Sequence, residues 1–482
     1  MRKVIVHALL AMICCGCMVG PNYQRPPVNS PSSWRFEDRQ AEEMANIVWW
    51  ERFDDPVLNE LIQIGLQENK DIKIAAARVE EFSGRYGTAR ASLFPQVGAV
   101  ASAGKSRVTE RAPTAFPPDG LNPAESYQLS GNVNWEIDLW GKLRRSTEAA
   151  RADLLGTEES RRAVVLTLVT SVASAYVNLR NLDRQLEIAK GTAKSREDSY
   201  RLFQLRFQGG VISELELNQV KSQYEQALAT IPFLEKVIAQ QENAMNVLLG
   251  RNPGPIPRGK KIEELALPAV PAGLPSDLLT NRPDIRQAEQ ALIAANARIG
   301  VARAQYFPTI SLTGLFGYAS TELSNLFSGP ANLWNFAAPA TAPIFTAGSI
   351  RGRVKSAEAV QQQALWRYQQ VIQLAFGEVE DALIDQRRSR EQLVIQARQI
   401  ESLRNYARLA RMRFDNGYTS YIEVLDSERS LFIAELSQAQ TTAIFFQALV
   451  NLYKAMGGGW IVNAARITGE ASDPPKLAPG KN

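Results

Sequence analysis

The sequence predicts an internally duplicated membrane α+β fold, in which each chain supplies four strands of a shared outer-membrane β-barrel together with long coiled-coil helices. Three observations carry that prediction. The chain echoes itself at one long shift, proline-free stretches of coiled-coil period run far beyond the length of a globular helix, and segments of strict period two sit between them.

The echo is explicit. Arg282-Pro283-Asp284-Ile285 and Ala302-Arg303-Ala304-Gln305-Tyr306-Phe307-Pro308 restate Asn69-Lys70-Asp71-Ile72 and Ala89-Arg90-Ala91-Ser92-Leu93-Phe94-Pro95. Arg206-Phe207-Gln208-Gly209-Gly210 returns as Arg413-Phe414-Asp415-Asn416-Gly417, and Leu248-Leu249-Gly250 as Ala455-Met456-Gly457. A shift of about 210 residues exceeds the roughly 20–50 residues of a solenoid unit, so each copy is a whole structural half. The halves are 55–249 and 276–457, joined by a proline-rich link 250–275 and flanked by an N-terminal segment 17–54 and a tail 458–482. Two such halves make the body pseudo-two-fold, with function expected on the symmetry axis.

Composition narrows the chemistry. Lysine and arginine total 54 against 50 acidic residues, a near-neutral balance that calls for no nucleic acid. The lone histidine is His7, and all three cysteines lie at or before Cys17. A chain processed there keeps no imidazole and no thiol free to react, which removes histidine bases, histidine metal sites and Cys/His nucleophile pairs together. No catalytic, cofactor or metal site is expected.

Residues 1–16 read as an export signal. Arg2-Lys3 precede an apolar run, Val4 to Ile13, that is too short to cross about 30 Å of hydrocarbon as a helix and is interrupted by His7. Gly16-Cys17 resembles the end of a bacterial lipobox, with Cys14 in place of the usual leucine, so Cys17 is the expected acylation site. No later run reaches 18 apolar residues, and no helical membrane span is expected.

The helices come next. Asp55 to Ala91 has Leu58, Leu61, Ile62 and Leu66 on one face. From Lys142 to Phe207 no proline occurs, which predicts a rod of about 100 Å. Within it Val165, Leu168, Val172, Ala175, Leu179, Leu182, Leu186, Ala189 and Ala193 alternate steps of three and four, the period of a coiled-coil seam. Gly348 to Phe414 repeats the rod, less regularly because Gln386 and Ser389 occupy matching places. Glycine turns at Gly209-Gly210 and Asn416-Gly417 then lead into returning helices, Ser213 to Leu249 and Ser420 to Met456. The opening and returning helices together match the rod in length, so two of them stacked end to end could flank it.

The intervening segments have another period. From Tyr127 to Leu139 the odd positions are Tyr, Leu, Gly, Val, Trp, Ile and Leu while the even ones are polar, the pattern of a strand with one apolar face. Phe94 to Gly104 and Phe307 to Tyr318 alternate less strictly, and Trp334 to Phe345 is interrupted by Pro339 and Pro343. Phe94, Trp135, Trp140, Phe307 and Trp334 mark aromatic ends, as in outer-membrane barrels. Four strands cannot close a barrel, and an open edge in lipid leaves peptide groups unpaired, so several chains must share one. Two copies would make eight strands around a filled interior; three would make twelve and leave room for a pore.

Over its whole length the chain resembles the TolC-like outer-membrane factors, specifically the OprM-type efflux lipoproteins. The segments that carry the resemblance are Cys17 to Pro26, Trp135-Glu136-Ile137-Asp138-Leu139-Trp140-Gly141, Leu278 to Pro308 and Arg413 to Phe432. The resemblance implies a homotrimer, a twelve-stranded barrel in outer-membrane lipid and an α-helical tunnel through the periplasm, with a belt built from the N-terminal segment, the link and the tail. It also implies passive efflux of drugs or other small toxic compounds, delivered by a proton-driven inner-membrane pump of the RND type through a periplasmic adaptor. Secretion of a protein or peptide through the same duct is the alternative, and a lipid-anchored coiled-coil protein without a pore is a remoter one.

Site expectations follow from the resemblance. Ile422, Asp426 and Arg429 share one helix face and match the positions that close the periplasmic end in OprM-like proteins. The bland reading of Asp426 and Arg429 is an exposed i, i+3 ion pair. Arg206, Gly209, Gly210, Val211 and Ser213, with Arg413, Asn416, Gly417 and Ser420, form the tips where an adaptor would dock; as helix caps the glycines have a plainer role. Gly254-Pro255-Ile256-Pro257-Arg258-Gly259-Lys260-Lys261 approaches a phosphate-binding loop but lacks the final Ser or Thr and any preceding strand. Energy for transport is therefore expected from a partner.

Overall fold

The structure is a computed structural model that describes residues 18–28, 30–31, 33–35, 48–109, 111, 122–266, 275 and 278–457. Cys17, the signal region, the tail 458–482 and parts of the N-terminal segment and link lie outside them. The described residues fall into two compact units. One comprises residues up to Pro27, Arg78–Glu158 and Gln287–Tyr368; the other comprises Val28–Ala77, Glu159–Arg286 and the chain from Gln369.

The first unit holds the sheet. β1 (Gln96–Ser106), β2 (Ala124–Ile137), β3 (Thr309–Ser320) and β4 (Asn332–Ala337) pair antiparallel in chain order, and β5 (Ala340–Thr341) also pairs with β3. β4 and β5 keep one register: Thr313 faces Ala337, Ile310 faces Ala340, and between them the Ser311 N–H donates to the Pro339 carbonyl at 3.1 Å. They are one strand, broken where Pro339 has no N–H to return the bond. The described residues thus supply four strands, and the fourth runs from Asn332 to Thr341 rather than from Trp334 to Phe345. β1 and β3 start two residues later than expected because Phe94 and Phe307 still close helical turns, donating to the carbonyls of Ala91 and Ala304 at 3.0 and 3.1 Å.

The helices are α1 (Pro56–Glu68), α2 (Lys70–Ala91), α3 (Lys142–Gln208), α4 (Glu214–Leu248), the single turn α5 (Leu278–Asn281), α6 (Pro283–Ala304), α7 (Ser349–Asp415) and α8 (Tyr421–Ala455). The two rods, α3 and α7, have 67 residues each. The predicted seam of α3 is its packed face: Val165, Leu168, Val172, Leu179, Leu182, Ala189 and Ala193 are buried, while Ala175 and Leu186 pack partly buried against the same core. Gln386 and Ser389 are buried in α7 as polar seam residues. One stretch of α3 is long and apolar enough by composition to cross a membrane, but over half of it is buried inside the protein as core.

The expected single helix from Asp55 to Ala91 is broken at Asn69, whose ψ of 134° leaves the helical range. Its side-chain oxygen accepts from the Asp71 and Ile72 N–H groups at 2.8 and 3.1 Å, while its amide donates to the Leu248 carbonyl at 2.8 Å. One buried side chain therefore caps the start of α2 and the end of α4, which meet end to end. The duplicated position does the same with different chemistry: Arg282 donates to the Ala455 carbonyl at 3.1 Å, joining α8 to α6.

The link residues are pinned by Asp55. This fully buried carboxylate accepts from Val57 N–H at 2.9 Å as the α1 cap, from the Tyr176 hydroxyl at 2.8 Å and from Lys260 N–H at 3.0 Å. The Gly259 N–H donates to the Tyr176 hydroxyl at 2.9 Å, and a Cβ on Gly259 would collide with the carboxylate. The near phosphate loop thus does cradle an anion, but the anion is the chain's own.

Candidate functional site

The sheet register sorts the strands into two unlike faces. Val97, Leu129, Val133, Trp135, Ile137, Ile310, Leu312, Phe316, Tyr318, Trp334 and Phe336 share one face, since the register sets Val97 opposite Val133, Leu129 opposite Tyr318, Trp135 opposite Leu312 and Phe316 opposite Trp334. Gln96, Gly98, Ser102, Gln128, Ser130, Asn132, Asn134, Ser311, Thr313, Gly317 and Asn335 share the other. On the apolar face Val97 is 78% exposed, Trp334 67% and Phe336 73%. Large apolar side chains spread over one whole face of a sheet require lipid or another protein against them.

The segment that follows Cys17 is fixed at one end of this sheet. Val19 N–H donates to the Trp140 carbonyl at 3.1 Å, and the Trp140 ring stacks on Phe307 with centroids 4.7 Å apart. Arg145, itself buried, donates to Asn22 Oδ1 at 2.7 Å, and Arg25 pairs with Glu289 at 2.7 Å. The Tyr23 hydroxyl also donates to Glu289, at 3.1 Å, and burial beside that carboxylate raises the Tyr23 phenol above its ordinary range. Cys17 itself lies outside the described residues.

The second unit carries the tips. α3 ends in Gly210, with φ +70°, where Val211 N–H returns to the Arg206 carbonyl and Gly210 N–H to Phe207, both at 2.9 Å. α7 ends identically at Gly417, with φ +76°, through Tyr418 to Arg413 and Gly417 to Phe414. Both are Schellman caps, so the glycine positions have a structural task whatever docks there. The restarts differ. Ser213 forms a capping box with Glu216, whereas the Ser420 side chain makes no cap bond and Glu423 lies 3.6 Å from Arg413 instead.

The two tips pack on each other around Phe203, Val220, Ala410, Tyr421 and Val424. The rings of Phe203 and Tyr421 lie 4.2 Å apart, and the Arg206 guanidinium sits over Phe203 and Phe414 at 5.8 and 5.4 Å. Val211 and Tyr418 stay 74% and 77% exposed at the ends. On α8, Tyr421, Val424 and Ser427 face inward, and Ile422, Asp426 and Arg429 are exposed on another side. Asp426 and Arg429 pair at 2.7 Å, the geometry of an ordinary i, i+3 surface pair, with both side chains about half exposed. The predicted tip residues and Ile422, Asp426 and Arg429 therefore lie together at the hairpin ends of the second unit.

Sequence reasoning missed a polar layer just above that aromatic core. Arg196, Arg411 and Glu428 meet there with Ser199 and Tyr421. Burial lowers the Arg196 pKa and raises those of Glu428 and Tyr421. A signal existed: continued from Ala193, the α3 seam reads Arg196, Tyr200, Phe203, which puts a charge where the period demands an apolar group. Among the described residues no cluster suited to a metal ion occurs.

Comparison with known proteins agrees with this architecture. Residues 61–251 and 274–458 each match the family described as Outer membrane efflux protein. The chain is 36% identical over 457 residues to the solvent efflux pump outer membrane protein SrpC of Pseudomonas putida, covering 93% of this chain and 96% of that one. It is 35% identical over 457 residues to the cation efflux system protein CusC of Escherichia coli, covering 94% and 97%. Among solved structures it resembles the outer-membrane channel OprN, with a TM-score of 0.85 and 31% identity over 92% of this chain and 100% of that one. The CmeC outer membrane channel of Campylobacter jejuni superposes with a TM-score of 0.86 at 26% identity, covering 94% and 99%. With its two unlike sheet faces, its paired rods and both halves matched in order, the chain belongs to the outer membrane efflux protein family.

Proposed function

We propose that three copies of this outer-membrane efflux protein enclose one conduit, which passively passes solvents, drugs or similar small toxic compounds outward. The observation that carries the proposal is the four-stranded sheet with one apolar face and, among the described residues, two unpaired edges, β1 and β4, which in lipid require partners on both sides. Relatives named for solvent efflux support the cargo class. The adaptor would dock on the exposed tips around Val211 and Tyr418, and Ile422, Asp426 and Arg429 would narrow the closed end. The chain's driving partner would be a proton-driven inner-membrane pump. Acylation of Cys17 is supported by the clamp on Val19 to Arg25, which starts at the Trp140 carbonyl beside the Phe307 ring, a pair of aromatic rings suited to the edge of a lipid leaflet.

Purified protein should run in detergent with the mass of three chains and show discrete single-channel steps in planar bilayers. A folded monomer, or a trimer that never conducts, would overturn the proposal. Metabolic labelling with palmitate should mark the wild-type chain and spare Cys17→Ser.

A further inference from the structure

We infer that Glu428 makes the paired hairpin tips tighten in acid: a neutral side chain at this position draws the two hairpins together, and its ionisation loosens them. The consequence for transport rests on the duct proposed above, but the tightening itself does not.

Tyr421, Val424, Glu428 and Leu431 follow steps of three, four and three along α8, so a carboxyl group occupies a seam position between the two hairpins. It makes neither a hydrogen bond nor an ion pair among the described residues. The cations that face it are engaged elsewhere. From α3, Arg196 is buried, donates to the Gln223 carbonyl of α4 at 2.7 Å and lies over the Phe432 ring at 5.4 Å. From α7, Arg411 donates to Ser199 Oγ at 3.3 Å and Tyr421 Oη at 3.4 Å and lies 3.6 Å from Asp415. Farther along the same groove, Arg184 and Glu187 pair at 2.9 Å, and Glu435 of α8 pairs with Arg404 at 2.8 Å. Gln223 adds a buried side-chain oxygen without a partner.

A half-buried carboxylate without a donor is costly, and its neutral form much less so. Burial accordingly raises the Glu428 pKa, and the fields of Arg411 and Arg196 offset this only in part. A groove of about 300 Å³, lined by Ser195, Arg196, Glu428 and Phe432, reaches the carboxyl group and admits protons to it. The sign follows by linkage. A packed tip with a raised carboxyl pKa binds the proton more tightly than a loosened tip whose Glu428 meets water. Stabilisation of the packed tip is complete below the ordinary carboxylate range and is lost as pH rises through the raised value.

Hydrogen exchange on the full-length protein, corrected for intrinsic pH effects, tests this directly. Protection of amides in 421–432 and 196–206 should be highest below the ordinary carboxylate range and should be lost progressively as pH rises from there to pH 8. Glu428→Gln, the neutral mimic, should hold the acid level of protection throughout and lower the open probability at pH 8. Asp426→Asn should leave the pH step in place. Flat protection in the wild type, a step that survives in Glu428→Gln, or one that disappears in Asp426→Asn would each overturn the inference. A pH step in exchange from a protein that conducts at no pH would support the inference and sink the duct.

Discussion

Replacing Asp426 and Arg429 together by alanine separates a gate from an ordinary surface ion pair by magnitude. The pair is 2.7 Å apart, with the two side chains 49% and 54% exposed, and the spacing is i, i+3. An isolated pair of that kind contributes roughly 0.2–0.5 kcal/mol to its own helix, and its loss would not touch conduction. As a gate, three pairs gathered at a common axis would act on one closed state. At about 0.5 kcal/mol each they hold it by about 1.5 kcal/mol, or roughly a tenfold shift in the open-to-closed ratio. The double variant should therefore raise single-channel open probability about tenfold at 0.1 M salt. The difference should shrink towards 1 M, where the Debye length falls from about 10 Å to about 3 Å. The assay is planar-bilayer recording of matched wild-type and variant preparations at both salts. An open probability unchanged within about twofold at low salt would refute the gate and leave the pair as a helix-surface contact.

Three further outcomes follow from the packing. Asp55→Ala removes a helix cap worth about 1 kcal/mol and strands the Tyr176 hydroxyl and the Lys260 N–H at about 1–3 kcal/mol each, so the thermal midpoint should drop by about 10 °C in a light-scattering or fluorescence melt. Gly259→Ala should lower the midpoint comparably, and combining it with Asp55→Ala should add little, since both break one contact; additive losses in the double variant would contradict the shared network. Gly210→Trp should abolish drug export while Gly210→Asn, which tolerates positive φ, preserves both trimer and export; loss of trimer in Gly210→Trp assigns the position to capping alone.

Much of this was legible because it rests on period. The seam from Val165 to Ala193, the alternation from Tyr127 to Leu139 and the glycine turns at 210 and 417 each express one local rule, and the structure follows each of them. What stayed hidden depends on contacts distant in sequence. The break at Asn69 is secured by the end of α4, 179 residues away, and the only local hint of it is the preference of Asn for a helix N-cap. The Asp55 hub reaches Tyr176 and Lys260 across 121 and 205 residues. The polar layer of Arg196, Arg411 and Glu428 was half legible: the seam places Arg196 inside, but only the folded hairpins supply the other two residues.

The number of copies follows from the two sheet faces taken together. β1 and β4 run in opposite directions, so the β4 edge of one chain can pair antiparallel with the β1 edge of the next, and any such ring closes with an even number of strands. Lipid alone would accept eight or twelve. The inner face decides between them. An eight-stranded barrel is just wide enough for its own side chains to fill, which requires bulk on the inner face. Here that face carries Val100, Leu315 and Leu333, but most of it is Gly98, Ser102, Gly104, Ser130 and Gly317 beside Asn132, Asn134 and Asn335, small groups that leave space and amides that need water. Such a face cannot make a dry packed core, but it suits the wall of a wet lumen. The bulk lies instead outside, in Trp334, Phe336, Phe316 and Leu129, where lipid receives it. The same residues that forbid one chain from standing alone in a membrane thus set the ring at twelve strands and leave its centre open.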